Sequence, residues 1–160
     1  MSKVLKFTAV NGNMNKDLIS VAAVALPRFV NLQRDARIAK LKAARGSVLA
    51  ASALSHATML ARAGVADLAA CPGGGGTANN TVSGAGTVCT ESGIVNMSNA
   101  YPAVTAIGTT AGILSMAGLT GVFIPTAAQL QTEGYTYGGA AGGTATFGVV
   151  GATAAGTCLF

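Results

Sequence analysis

The chain has 160 residues, 51% of them hydrophobic and only 9% charged; this is enough for one domain with a real core, and far below the quarter of charged residues usual in globular proteins. The net charge of +5 is unevenly placed, because all ten Lys and Arg lie between Lys3 and Arg62, opposed there only by Asp17 and Asp35, while the rest of the chain carries only Asp67, Glu91 and Glu133. One histidine and five scattered acids supply neither a catalytic triad nor paired carboxylates, so no enzyme is expected.

The opening "MSKVLKFTAVNGNMNKDLIS" is polar, with no secretory signal and no apolar run of membrane-spanning length. Residues 1–19 read as an irregular leader. From Ser20 to about Ala63, Ala, Leu, Arg and Lys dominate, and only Pro27 and Gly46 interrupt a long helix. Pro27 removes one backbone hydrogen bond, which predicts a kink without requiring a break.

Beyond Pro27 the helix is amphipathic. Phe29, Leu32, Ala36, Ala39, Ala43 and Gly46 step by threes and fours along one side. A second row runs Ile38, Leu41, Val48, Ser52, Ser55 and Met59, beside Leu49, Ala53 and Leu60. Two apolar rows imply two partners, the chain's own body for one and something external for the other. Arg28, Arg34, Arg37, Lys40, Lys42 and Arg45 fill much of the remaining surface. A solvated helix face is the plain reading of these bases, with contact to an acidic surface or to phosphates as the alternative. Acid–base pairs at helical spacing are lacking, so stability must come from packing.

Gly64 fits a helix C-cap. Residues 66–92 read as loop, rich in Gly, Asn, Ser and Thr. Within it Cys71 and Cys89 bracket a stretch too glycine-rich to hold a shape by packing. A disulfide there would remove loop entropy worth about 3 kcal/mol and would imply an oxidising compartment. Cys158 is left over, either buried and free or paired with one of the others. No Cys-x-x-Cys pair occurs and His56 lies on the helix, so neither a zinc site nor any other metal site is expected. "CPGGGGT" lacks the Gly-Lys-Ser/Thr ending of a phosphate loop and reads as flexible. Ser52 and Ser55 neighbour His56 with no acid to orient the ring, and His56 reads as a packed or half-exposed helix residue. Asn79-Asn80-Thr81 and Asn96-Met97-Ser98 are glycosylation triplets of a kind that chance produces often.

Next, "GIVNMSNAYPAVTAIGTTAGILSMAGL" mixes a short apolar strand or helix with small-residue turns, and a short helix is expected near Ala111 to Ala117. From Gly121, "GVFIP", "YTYGG", "TATFGVVGA" and "GTCLF" are short β runs separated by glycine, which suggests a small antiparallel sheet at the C-terminal end. The order is α+β.

The stretch "AAVALPRFVNLQRDARIAKLKAARGSVLAA" resembles the type IV pilin family, through Ala22, Ala23, Val24, Ala25, Leu26, Pro27 and Phe29, then Asp35, Ala36 and Arg37. "NAYP" from Asn99, "AGI" and the cysteine-bracketed loop are similar to pilins related to the mannose-sensitive haemagglutinin subunit. The resemblance runs from Ser20 to the end. It implies the type IV pilin fold, a long N-terminal α-helix packed on a small antiparallel β-sheet. It further implies a structural subunit of a bacterial pilus that polymerises through this helix into a surface filament for adhesion, twitching motility or DNA uptake.

The implied partners are other pilin subunits, the pilus assembly machinery, host-surface glycans or DNA, and the inner membrane before assembly; no cofactor is implied. The implied location is the extracellular pilus. Pro27, Phe29, Leu32, Ala36 and Ala39 are the expected subunit contacts, and a loop closed by Cys71 and Cys89 would present outer surface. The expected organisation is a replaced leader at 1–19 and a pilin domain at 20–160, made of a helix at 20–63, a loop region at 64–100 and a short helix and sheet at 101–160. The departure lies upstream, where the family begins its mature chain with Phe-Thr-Leu-Ile-Glu and unbroken hydrophobics; here only Phe7 and Thr8 match. As written, the chain is expected neither to enter a membrane nor to be matured by prepilin peptidase. The alternatives are a pseudopilin of a type II secretion system and a carbohydrate- or nucleic-acid-binding module using the basic helix.

Overall fold

The computed structural model describes residues 14–151, with side chains described from Asn31 onward. The chain divides into two units, Met1–Arg37 and Ile38–Phe160. In the first, the described residues are the beginning of helix α1, which spans Met14–Arg62. Residues 31–36 are exposed there, and Arg34 meets Asp35 at 3.5 Å in open solvent, a contact worth little.

In the second unit α1 continues and lays one side on the body. Ala44, Ser55 and Met59 are buried, while Leu41, Val48, Ala51 and Ser52 are half-buried between them. Of the second sequence row, Leu41, Val48, Ser52, Ser55 and Met59 thus face the chain's own core, while Ile38 and the flanking Leu49, Ala53 and Leu60 are exposed. A three-stranded antiparallel sheet follows, with β1 Ala85–Thr90, β2 Gly93–Ser98 and β3 Tyr101–Pro102 in that order. Between β2 and β3 the chain reverses through Asn99 and Ala100, both at positive φ (50° and 65°), the geometry that matches strand twist in a two-residue hairpin. Val88, Val95 and Met97 close on Met59, Ala100 and Ala111 to form one apolar cluster, with Met116 and Phe123 against it. Fully buried, Met59 is the plug between helix and sheet.

Helix α2 (Ile113–Ala117), helix α3 (Ala127–Thr132) and the antiparallel pair β4 (Tyr135–Gly138) and β5 (Thr146–Val149) complete the described chain. Ile113, Leu114, Leu130 and Phe147 form a second cluster, against which Val48 of α1 packs. Helix α3 begins on a reciprocal cap in which Thr126 accepts from the Gln129 backbone and Gln129 accepts from the Thr126 backbone.

The architecture is α+β, as the element order predicts, and it differs from expectation in several places. Helix α1 begins at Met14 rather than Ser20 and runs through Pro27. It ends at Arg62, where Ala63 and then Gly64 turn left-handed (φ 49° and 78°). The region 64–100, expected as loop, holds β1 and β2, because their apolar residues alternate too weakly for pattern reading to separate from the flanking Gly and Thr. "GVFIP" is not a strand; Pro125 cannot donate to a ladder, and Phe123 instead drops into the first cluster. Two small sheets stand where one was expected. "GTCLF" lies outside the described residues.

Candidate interaction surface

On the second unit α1 carries an exposed row of small and apolar residues along its outward side. Ala39, Ala43, Gly46, Ala50, Ala53, Ala57 and Leu60 are all exposed and alternate spacings of four and three, the 3.5-residue period of a helix that packs along another helix. Leu49 and Leu54 flank them, and Leu54 is 69% exposed. From Gly46 to Ala61 this helix carries no Lys, Arg, Asp or Glu. The same spacing continues in sequence back to Ala36 and Leu32, which are exposed in the first unit, Leu32 at 67%. Pro27 and Phe29 lie outside the described side chains. The first sequence row ends at Gly46; Ala53 and Leu60, set by sequence beside the second row, continue the exposed one instead, together with Ala50 and Ala57.

The bases of the helix are not one continuous cationic face. Lys40 donates to the Glu133 carbonyl and sits 4.5 Å from the centre of the Tyr135 ring, tying the helix to the end of α3. Lys42 and Arg45 are exposed. Arg62 turns inward. Its guanidinium donates to both Asp67 carboxylate oxygens (3.2 and 2.9 Å) and to the Asn80 side-chain oxygen (3.3 Å). Asn80, fully buried, donates in turn to the Val65 carbonyl and to Asp67, both at 2.8 Å.

Cys71 and Cys89 are joined by a disulfide, with Cα atoms 5.4 Å apart. Asp67 lies within 4.8 Å of both sulfurs. That trio is not a metal site in the oxidised chain, since the sulfurs are bonded to each other and the carboxylate is held by Arg62 and Asn80. The glycine run between the cysteines is a packed turn rather than a loose loop. Cys71 accepts from Gly74 and donates to Gly76, and a Cβ on Gly73 would collide with the backbone of Ser92 and Gly93. Cys158 lies outside the described residues.

His56 is a packed helix residue. Its ring stacks on Tyr101 at 4.0 Å, and Nδ1 lies 3.1 Å from the Ala100 carbonyl. Of the two glycosylation triplets, Asn96 is half-buried on the middle strand and spends its amide nitrogen on the Ala111 carbonyl, while Asn79 is exposed. A groove of about 550 Å³ is lined by Gly86, Met97, Ser98, Pro102, Thr105 and Gly142 among others, with no ionisable or aromatic side chain in its wall. It offers no acid, base or stacking surface. Tyr137 donates to the Thr105 carbonyl at 2.9 Å, and burial pushes its phenol above the usual range.

The chain matches no protein-family model, no curated protein and no solved structure. Among the described residues, no helix is long and apolar enough to cross a membrane.

Proposed function

We propose that this chain is a structural subunit of a bacterial type IV pilus, polymerising through α1 into an extracellular filament. The observation that carries the reading is the uninterrupted exposed row from Ala39 to Leu60 on a helix whose other side is already satisfied by the body. Left in water, such a row exposes apolar surface at a cost; placed against copies of itself, its Ala and Gly side chains let helix backbones approach closely. A filament follows where the row of one copy meets a different surface of the next, because such head-to-tail contacts propagate when their rotation does not close into a ring. Inward engagement of Lys40 and Arg62 leaves fewer cations for phosphate binding, which favours assembly over a nucleic-acid module. The pilin resemblance around Pro27 supplies the family; adhesion, motility or DNA uptake would follow from the filament.

Sedimentation velocity and negative-stain microscopy on the whole chain test the proposal. Wild type is expected to self-associate with rising concentration, and Ala50→Glu with Ala53→Glu to remain monomeric with an unchanged circular dichroism spectrum. A wild type that stays monomeric throughout, or a double variant that assembles equally well, would overturn it.

A further inference from the structure

The outer edge of β1 is closed by something other than a strand. Thr87 points its backbone groups away from β2. Its N–H donates to the Asn79 side-chain oxygen at 2.8 Å and its carbonyl accepts from the Asn80 N–H at 3.0 Å. The Thr87 hydroxyl accepts from the Asn79 N–H at 2.9 Å. Asn79 therefore presents a carbonyl where a neighbouring strand would present its own, and Gly86 lets the Thr81 carbonyl approach so closely that a Cβ there would collide with it. The strand itself, Ala-Gly-Thr-Val-Cys-Thr, has no charge and no proline. It carries none of the side chains that ordinarily keep an edge from pairing with another chain. Among the described residues, the outward backbone groups of Thr87 are covered by Asn79 and Asn80.

Two latches hold that segment. One is Arg62, bound to Asp67 and to the buried Asn80. The other is the disulfide, which anchors the start of the loop at Cys71 to Cys89 on β1 itself. We propose that residues 79–81 are a surrogate strand held over β1 by these latches, and that reducing the disulfide opens the edge to pair antiparallel with β1 of a second copy. The inference is independent of filament assembly through α1. A dithiol reductant supplies the two electrons and two protons that convert the S–S bond to two thiols, and it leaves as its own cyclic disulfide. Losing a cross-link over a loop of this size raises the open population by roughly a hundredfold. Antiparallel pairing of identical edges is self-complementary and closes at two copies.

Amide hydrogen exchange on the whole chain reads the edge directly. The register pairs Val88 with Val95 on the inner side of β1, so its amide reports the sheet while Thr87 and Asn80 report the mask. Reduction in excess dithiothreitol is expected to speed exchange at Thr87 and Asn80 by roughly a hundredfold, with Val88 unchanged within a few-fold. The reduced chain should also show a concentration-dependent dimer by sedimentation velocity, carried out with the Ala50→Glu and Ala53→Glu substitutions in place so that α1 does not contribute. Asn79→Ala, which removes the carbonyl mimic, is expected to speed Thr87 exchange in the oxidised chain. Unchanged Thr87 exchange on reduction, Val88 accelerating in step with Thr87, or a reduced chain that stays monomeric would overturn the proposal.

Discussion

Asn80 combines three demands that few side chains meet. It has no exposed surface, it sits at φ 52°, and its amide must give two hydrogen bonds and accept one. Asparagine tolerates the left-handed region better than other non-glycine residues and carries both donor and acceptor. Asn80→Ala strands the Val65 carbonyl and loses contact with Arg62 and Asp67; a loss of about 2–4 kcal/mol is expected in urea unfolding, most of it from buried groups left unpaired. Tyr137 makes a second prediction at this scale. Its folded pKa lies above the ordinary value of 10.0. The folded state therefore keeps its proton where the unfolded chain releases it, so the stabilisation is complete below about pH 10 and declines as pH rises beyond that. Tyr137→Phe is expected to flatten the alkaline fall in stability above about pH 10, at a cost of about 1 kcal/mol at neutral pH for the lost bond to Thr105.

Helix α1 shows how an element answers to both propensity and placement. Gly46 is the weak point of its interior, and a Cβ there would meet nothing within 4 Å. Gly46→Ala is therefore expected to raise the stability of the isolated chain by up to about 1 kcal/mol, seen as a higher urea midpoint with an unchanged slope. A decrease would mean that the outward side of α1 is already covered within the single chain. Elsewhere, local rules were legible but unread. Thr126 to Gln129, directly after Pro125, is a capping box in plain sequence, and it marks the helix that pattern reading left out. "GVFIP" shows the opposite failure, an apolar run whose half-buried Phe123 packs against the first cluster without any ladder of its own.

At the scale of the molecule, the second unit is built around one helix with two duties. Its inward side places Met59 and Val48 on two apolar clusters and buries Ala44 and Ser55, while the row from Ala39 to Leu60 is exposed among the described residues. If α1 assembles as proposed, this separation lets assembly and folding be changed independently. Glutamates at Ala50 and Ala53 are expected to weaken self-association by at least about a hundredfold, because a buried unpaired charge costs several kcal/mol, while the monomer's melting temperature moves by no more than about 2 °C, as for surface changes in general. A large fall in melting temperature would place those positions in the core.

The sequence by itself determined the long helix, its two apolar rows and the α+β order, since each follows from periodicity or composition that local physics reads directly. Only the tertiary structure decided which row faces the body, that the glycine-rich turn is packed on the β1–β2 hairpin, and that Arg62, Asp67 and Asn80 meet. Those outcomes depend on which distant surfaces come together. A buried hydrogen bond such as Arg62 to Asn80 leaves no periodic trace in the chain, because its partners are chosen by the fold rather than by their neighbours in sequence.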